Sequence, residues 1–107
     1  MILYDYFRSS AGYRVRIALE LKGLKVERRP VNLLRGEHRA PAYLAVNPQG
    51  LAPALELDDG AVITQSLAII FYLEKLQPTP ALLPQDPALA AMMLSVALTI
   101  ACDMHPL

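Results

Sequence analysis

Ten basic and ten acidic residues cancel in a chain of 107, so no bulk field draws it to nucleic acid or to an anionic membrane surface. A hydrophobic content of 54% is enough for one domain with a real core and a piece of a second. The single cysteine, Cys102, excludes an internal disulfide and points to a cytoplasmic setting.

The chain opens on an apolar, β-prone run, Ile2–Tyr6, with none of the basic, apolar and small-residue order of a secretory signal. A helix is predicted from about Ala11 to Lys22, and Gly23 stands where a left-handed residue ends a helix. Lys25 to Asn32 alternates and reads as a second strand. Leu34 to Asn47 suits a loop and a short helix, and Asn47-Pro48-Gln49-Gly50 is turn chemistry. Strands at Ala54–Leu57 and Ala61–Ile63 flank a hairpin turn, Asp58-Asp59-Gly60. The third helix begins at Thr64 or Gln65 and reaches about Leu76. It is apolar almost all round, so both its sides are expected to be covered. Gln77 to Gln85 holds three prolines and reads as a linker. Asp86-Pro87 caps and opens a last helix that is predicted to run to about Met104.

A helix between the first two strands makes them parallel, with a right-handed crossover. The hairpin adds an antiparallel pair, which gives an α/β fold with a small mixed sheet and helices on both faces. The last helix is uncharged from Ala88 to Cys102, yet shorter than the roughly 18–20 residues of a membrane span. Burial within protein is the better reading. Nothing after it would cover it, so the expectation is that these residues are the front of a longer protein.

Chemistry concentrates where the first strand meets the first helix. Ser9-Ser10-Ala11-Gly12 brings two hydroxyls to a helix start, where unpaired N–H groups and the positive dipole end attract anions. Each serine reads either as an N-cap or as a donor to a bound thiolate or oxyanion. The readings coexist if one serine caps and the other faces the ligand. Ala11 stands where a cysteine would make a redox pair, so any thiol chemistry must come from a ligand.

Arg14 falls on the predicted buried arc of the helix, with Val15, Ile17, Ala18, Leu19 and Leu21. It needs a carboxylate, from a structural acid or from a ligand. Arg16 faces the other way and is set for an exposed i,i+4 pair with Glu20. Arg8 either reaches into a cleft or is a solvated loop charge. Ala52-Pro53 lies between a turn and a strand. A cis bond there, against the ordinary trans state, would turn the Ala52 backbone outward to pair with an extended peptide. Gln65-Ser66 is a plain helix start, or an amide, a hydroxyl and free N–H groups that hold a carboxylate. His38 and His105 stand apart without metal-ligand spacing, so no metal is assigned.

Together these segments resemble the zeta class of glutathione S-transferases, which includes maleylacetoacetate and maleylpyruvate isomerases. The resemblance runs through Ser9-Ser10-x-x-x-Arg14-Val15-Arg16-Ile17-Ala18-Leu19 and Asn47-Pro48-Gln49-Gly50-Leu51-Ala52-Pro53-Ala54-Leu55. It continues through Gln65-Ser66-Leu67-Ala68-Ile69-Ile70, Leu82-Leu83-Pro84-Gln85-Asp86 and the tail Cys102–Leu107. It implies a thioredoxin-like βαβ-α-ββα domain with a mixed four-stranded sheet at residues 1–77. A linker at 78–86 and the first helix of an all-α C-terminal domain at 87–107 would follow.

The resemblance also implies roles. Ser9 would face the glutathione sulfur, with Ser10 and Arg14 in the same binding loop and helix start; these three are the implied catalytic residues. Ala52, before Pro53, would pair with the cysteinyl backbone of glutathione. Gln65 and Ser66 would hold its γ-glutamyl carboxylate, His38 and His105 would line the site, and Arg8 would bind substrate. The implied activity is glutathione-dependent cis–trans isomerisation of a maleylacetoacetate-type keto acid in tyrosine and aromatic catabolism. It would be carried out by a cytoplasmic homodimer with no nucleic-acid or membrane partner. The alternatives are a transferase that conjugates small electrophiles and a non-catalytic binding module of the same fold.

Overall fold

The first strand, β1 (Ile2–Asp5), ends up inside the sheet. In the computed structural model, which describes residues 1–32, 34–50 and 52–98, four strands run in the order β2–β1–β3–β4. β2 (Glu27–Pro30) lies parallel to β1 and is reached through α1 (Ser10–Lys22). β3 (Ala54–Glu56) and β4 (Val62–Thr64) form an antiparallel hairpin on the other edge of β1. The expected α/β order and mixed sheet are what form.

Register then decides the two faces. Leu3 pairs with Arg28 and Leu55, and Tyr4 with Arg29 and Ala54. Successive side chains alternate across the sheet. Leu3 and Leu55 meet Val15, Ala18 and Leu19 of α1 and Ile69 and Leu73 of α3 (Ser66–Leu76), none more than 6% exposed. Each fully buried aliphatic here contributes about 1.5–3 kcal/mol of transfer free energy. Tyr4 and Ala54 point the other way, onto Val31 and onto Tyr43 of α2 (Pro41–Val46). The Tyr4 and Tyr43 rings meet tilted, with centroids 5.7 Å apart. Burial pushes both phenols up, with Glu56 adding at Tyr4 and Asn47 partly offsetting at Tyr43.

Local chemistry sets the ends of these elements. Gly23, at φ 67°, closes α1: its N–H donates to Glu20 O and that of Leu24 to Leu19 O, a paired C-terminal cap that favours glycine. In the hairpin, Gly60 takes φ 90° and Asp59 Oδ1 accepts from Ala61 N–H at 3.0 Å. Asp86 Oδ2 accepts from Leu89 N–H at 2.9 Å and opens α4 (Pro87–Leu98), with proline at its first position.

Two expected helix faces are corrected. The buried stripe of α1 is Val15, Ala18, Leu19 and Lys22, an i, i+3, i+4, i+7 spacing, while Ile17 and Leu21 are 41% and 56% exposed. The stripe shifts because Lys22 turns inward. Its fully buried ammonium donates to the Glu74 carboxylate of α3 and to Pro80 O. On α3 one side is covered, by Ile69 and Leu73, and Phe71 and Leu76 lie open, because this chain's own elements pack against that one side. α4 exposes Leu89, Met92, Met93, Leu94 and Val96. The predicted helix end near Met104 lies outside the described residues. Among the described residues no helix is long and apolar enough to cross a membrane.

Candidate functional site

β1, β2 and β4 all run the same way and β3 runs against them. The C-terminal ends of three strands and the N-terminal end of β3 therefore share one edge of the sheet. Ser9 follows β1, Pro53 precedes β3, and Gln65 and Ser66 follow β4. Both α1 and α3 begin at that edge, so two sets of unpaired N–H groups and two positive dipole ends meet there.

At α1 the serine nearest the strand is the cap. Ser9 is extended (φ −76°, ψ 126°), and its Oγ accepts from Gly12 N–H at 3.2 Å. Capping uses an oxygen lone pair, so the same hydroxyl keeps its proton to donate outward. Ser10 opens α1; its side chain lies outside the described residues. Arg14 is half-buried and engaged within the chain. Arg8 is exposed, with its guanidinium 5.4 Å from the centre of the Phe7 ring.

At α3 the start is different. Gln65 takes φ 74° and ψ 125° and makes no side-chain cap, while Ser66 is buried as the first helical residue. A non-glycine residue in that region costs of order 1–3 kcal/mol, and such strain gathers at functional sites. Beside it the Ala52–Pro53 peptide bond is cis, with Pro53 buried.

His38 sits in a short 3₁₀ turn, Glu37–Arg39, with a buried Nδ1 that finds no hydrogen-bond partner among the described residues. Gly50, in the turn Asn47–Gly50, lets this 3₁₀ turn lie close: a β-carbon there would come within 3.1 Å of His38 O. His105 lies outside the described residues. Among the described residues no three of His, Cys, Asp and Glu gather as a metal set.

Two features went unread in the sequence. Arg16, expected to pair with Glu20, instead donates to the Asp5 carboxylate and to Phe7 O. Asp5, 4% exposed, lies beneath α1, and a β-carbon on Gly12 would collide with it. The available signal was an acid closing an apolar strand with a glycine in the helix start that follows. Next to them, Asp5, Phe7, Arg28, Arg29 and Pro30 line a surface cavity of about 300 Å³.

The family model described as the N-terminal domain of glutathione S-transferase matches residues 8–76, from Arg8 to the end of α3. The chain belongs to the glutathione S-transferase family. Among curated relatives of this glutathione S-transferase chain, maleylacetoacetate isomerase of Pseudomonas aeruginosa is 58% identical, over 100% of this chain and 51% of the relative. Maleylpyruvate isomerase of a Ralstonia species is 47% identical, over 100% and 50%.

Solved structures agree. The holo structure of a bacterial zeta-class maleylpyruvate isomerase matches with a TM-score of 0.93 at 45% identity, over 99% of this chain and 50% of that one. Maleylacetoacetate isomerase from Methylobacterium extorquens AM1, with bound malonate and glutathione, gives 0.95 at 47% identity, over 100% and 50%. The zeta-class resemblance and the thioredoxin-like fold hold. This glutathione S-transferase chain spans about half the length of the relatives it matches.

Proposed function

We propose that residues 1–77 are the glutathione-binding part of a zeta-class isomerase, with 78–86 as linker and 87–107 as the start of an all-helical domain. In this reading the intact protein converts a maleylacetoacetate-type cis keto acid to the trans form. The observation that carries it is the meeting of two helix N-termini at one sheet edge. One presents the Ser9 hydroxyl, the other the amide of Gln65 and the hydroxyl of Ser66, in a segment without a thiol of its own.

This donor set fits a tripeptide that carries a thiol and a carboxylate. Ser9, with Ser10 and Arg14 in the same loop and helix start, would hold the sulfur end. Gln65, Ser66 and the first N–H groups of α3 would hold the γ-glutamyl carboxylate. The Ala52 backbone before Pro53 would pair with the cysteinyl backbone, and His38 and His105 would line the site. When bound, glutathione would supply a thiolate for reversible addition to the maleyl double bond, whose single-bond form can turn before the C–S bond breaks and releases the thiolate. Ser9 contributes a hydrogen bond to the charged form of the sulfur, which lowers its pKa. The dipole of α1 acts in the same direction. Arg8 orients a substrate carboxylate by charge-assisted hydrogen bonds.

The same reading makes the protein a cytoplasmic enzyme of tyrosine and aromatic catabolism. It also makes it a homodimer, supported by the open apolar side chains of α3 and α4; a single-subunit mass by light scattering would remove that part. The activity is tested with maleylacetone and the intact protein. Turnover should require glutathione, and Ser9→Ala should lower kcat about 100-fold. Turnover without glutathione, or conjugation of a chlorinated acid with no isomerisation, would overturn the reading.

A further inference from the structure

We propose that Arg16 and Asp5 form a clamp that positions the Ser9 hydroxyl and so sets how strongly the site favours a bound thiolate. This rests on the reading of Ser9 as the donor to that sulfur.

Only residues 6–9 join β1 to α1. That turn is closed by Ser9 N–H donating to Tyr6 O at 2.9 Å. Arg16, from the second turn of α1, reaches back across it. One guanidinium nitrogen donates to the Asp5 carboxylate at the end of β1, and the other donates to Phe7 O at 3.2 Å. A single planar fork thus ties helix, strand end and turn together. Lysine, a point charge with no such fork, cannot span both acceptors in the same way.

The Asp5 arm of the clamp is sheltered, with the Arg16 side chain 17% exposed and that of Asp5 4%, so water competes weakly and that charge-assisted bond is stiff; the Phe7 arm lies at the surface. The Tyr13 ring lies 5.7 Å from the Arg16 guanidinium. A second cation, Arg28 of β2, stands 3.7 Å from the same Asp5 oxygen.

Gly12 links the clamp to Ser9. Its missing β-carbon leaves room for Asp5 beneath the helix, and its N–H donates to Ser9 Oγ at 3.2 Å. That bond occupies one lone pair of the hydroxyl oxygen and leaves its proton available to a ligand at the sheet edge. Any shift of residues 6–9 against α1 re-aims the proton. Arg16 and Asp5 are therefore positioning residues: they act on the sulfur through Ser9.

The test is the thiol pKa of glutathione bound to the intact protein, followed by thiolate ultraviolet absorbance, alongside calorimetric affinity for S-methyl-glutathione. Arg16→Met and Arg16→Lys should each lower the thiolate fraction at neutral pH roughly fivefold, with Ser9→Ala lowering it about tenfold. In the Arg16 variants the affinity for S-methyl-glutathione, which has no proton to lose at sulfur, should stay within about twofold. The double variant Ser9→Ala/Arg16→Met should match Ser9→Ala alone, because both act through one hydroxyl. An unchanged thiol pKa in Ser9→Ala removes the Ser9 reading itself. A shift in Ser9→Ala with none in the Arg16 variants overturns the clamp. So does equal loss of affinity for both ligands at constant thiol pKa. If Arg16→Met does not fold, Arg16→Lys decides alone: a raised thiol pKa supports the clamp and the wild-type value overturns it.

Discussion

α1 and α3 start at the same sheet edge in opposite styles. α1 starts relaxed, with Ser9 in ordinary extended backbone and its hydroxyl accepting from Gly12 N–H. α3 starts strained, with Gln65 at positive φ and no side-chain cap. A relaxed cap saturates one N–H and leaves a single outward proton. An uncapped start leaves its N–H groups and the Gln65 amide to whatever binds at that edge, at a conformational cost of order 1–3 kcal/mol. At their far ends the difference vanishes, because the buried Lys22–Glu74 pair joins the two helices. The packing that holds Gln65 in place is therefore shared by both helices.

The largest expected effect lies at that shared end. Glu74→Ala would leave the Lys22 ammonium buried without its carboxylate and cost about 3 kcal/mol in denaturant unfolding. Burial works to raise the Glu74 carboxyl, but Lys22 and the N–H groups of Leu82 and Leu83 outweigh it and hold it below the usual carboxylate range. Its stabilisation is therefore complete above the ordinary glutamate pKa and is lost as pH falls through the lower folded value. Unfolding measured down that acid window should be flatter in Glu74→Ala than in the wild type. A parallel pair of curves would show that the carboxylate is not what joins the helices.

Gly12→Ala comes next, at about 2 kcal/mol lost, because the added methyl collides with the clamped Asp5. Gln65→Gly should relieve the strain and gain about 1 kcal/mol while glutathione affinity falls; a loss of stability would mean that α3 starts as comfortably as α1. Ser9→Gly is the smallest change, a few tenths of a kcal/mol lost, since glycine also tolerates the cap position.

Much of this was legible where the signal is local. Gly23, Gly60 and Asp86-Pro87 set their turns and caps through chemistry contained within a few residues, and the structure places each as read. Partners far along the chain were not legible. Lys22 turns inward because Glu74 waits 52 residues later. Arg16 prefers Asp5 across a turn to Glu20 one helical turn away, since a buried carboxylate binds more tightly than a solvated one. No sequence signal marks a glutamine at positive φ. The assembly of Ser9, Ala52-Pro53 and Gln65-Ser66 follows from strand directions, but only once the register of β3 against β1 is known.

The interior place of β1 also governs the order in which the sheet can close. Ile2 to Tyr4 need partners at Ala54 to Glu56 on one side, and Leu3 gains part of its cover only when Ile69 and Leu73 arrive. Residues 1–50 can close the β1–α1–β2 crossover but leave one edge of β1 bare, a template for pairing with another chain. Closing so long a loop late makes the sheet's final step non-local and slow. The strand that comes before the others in this sheet is among the last to be secured.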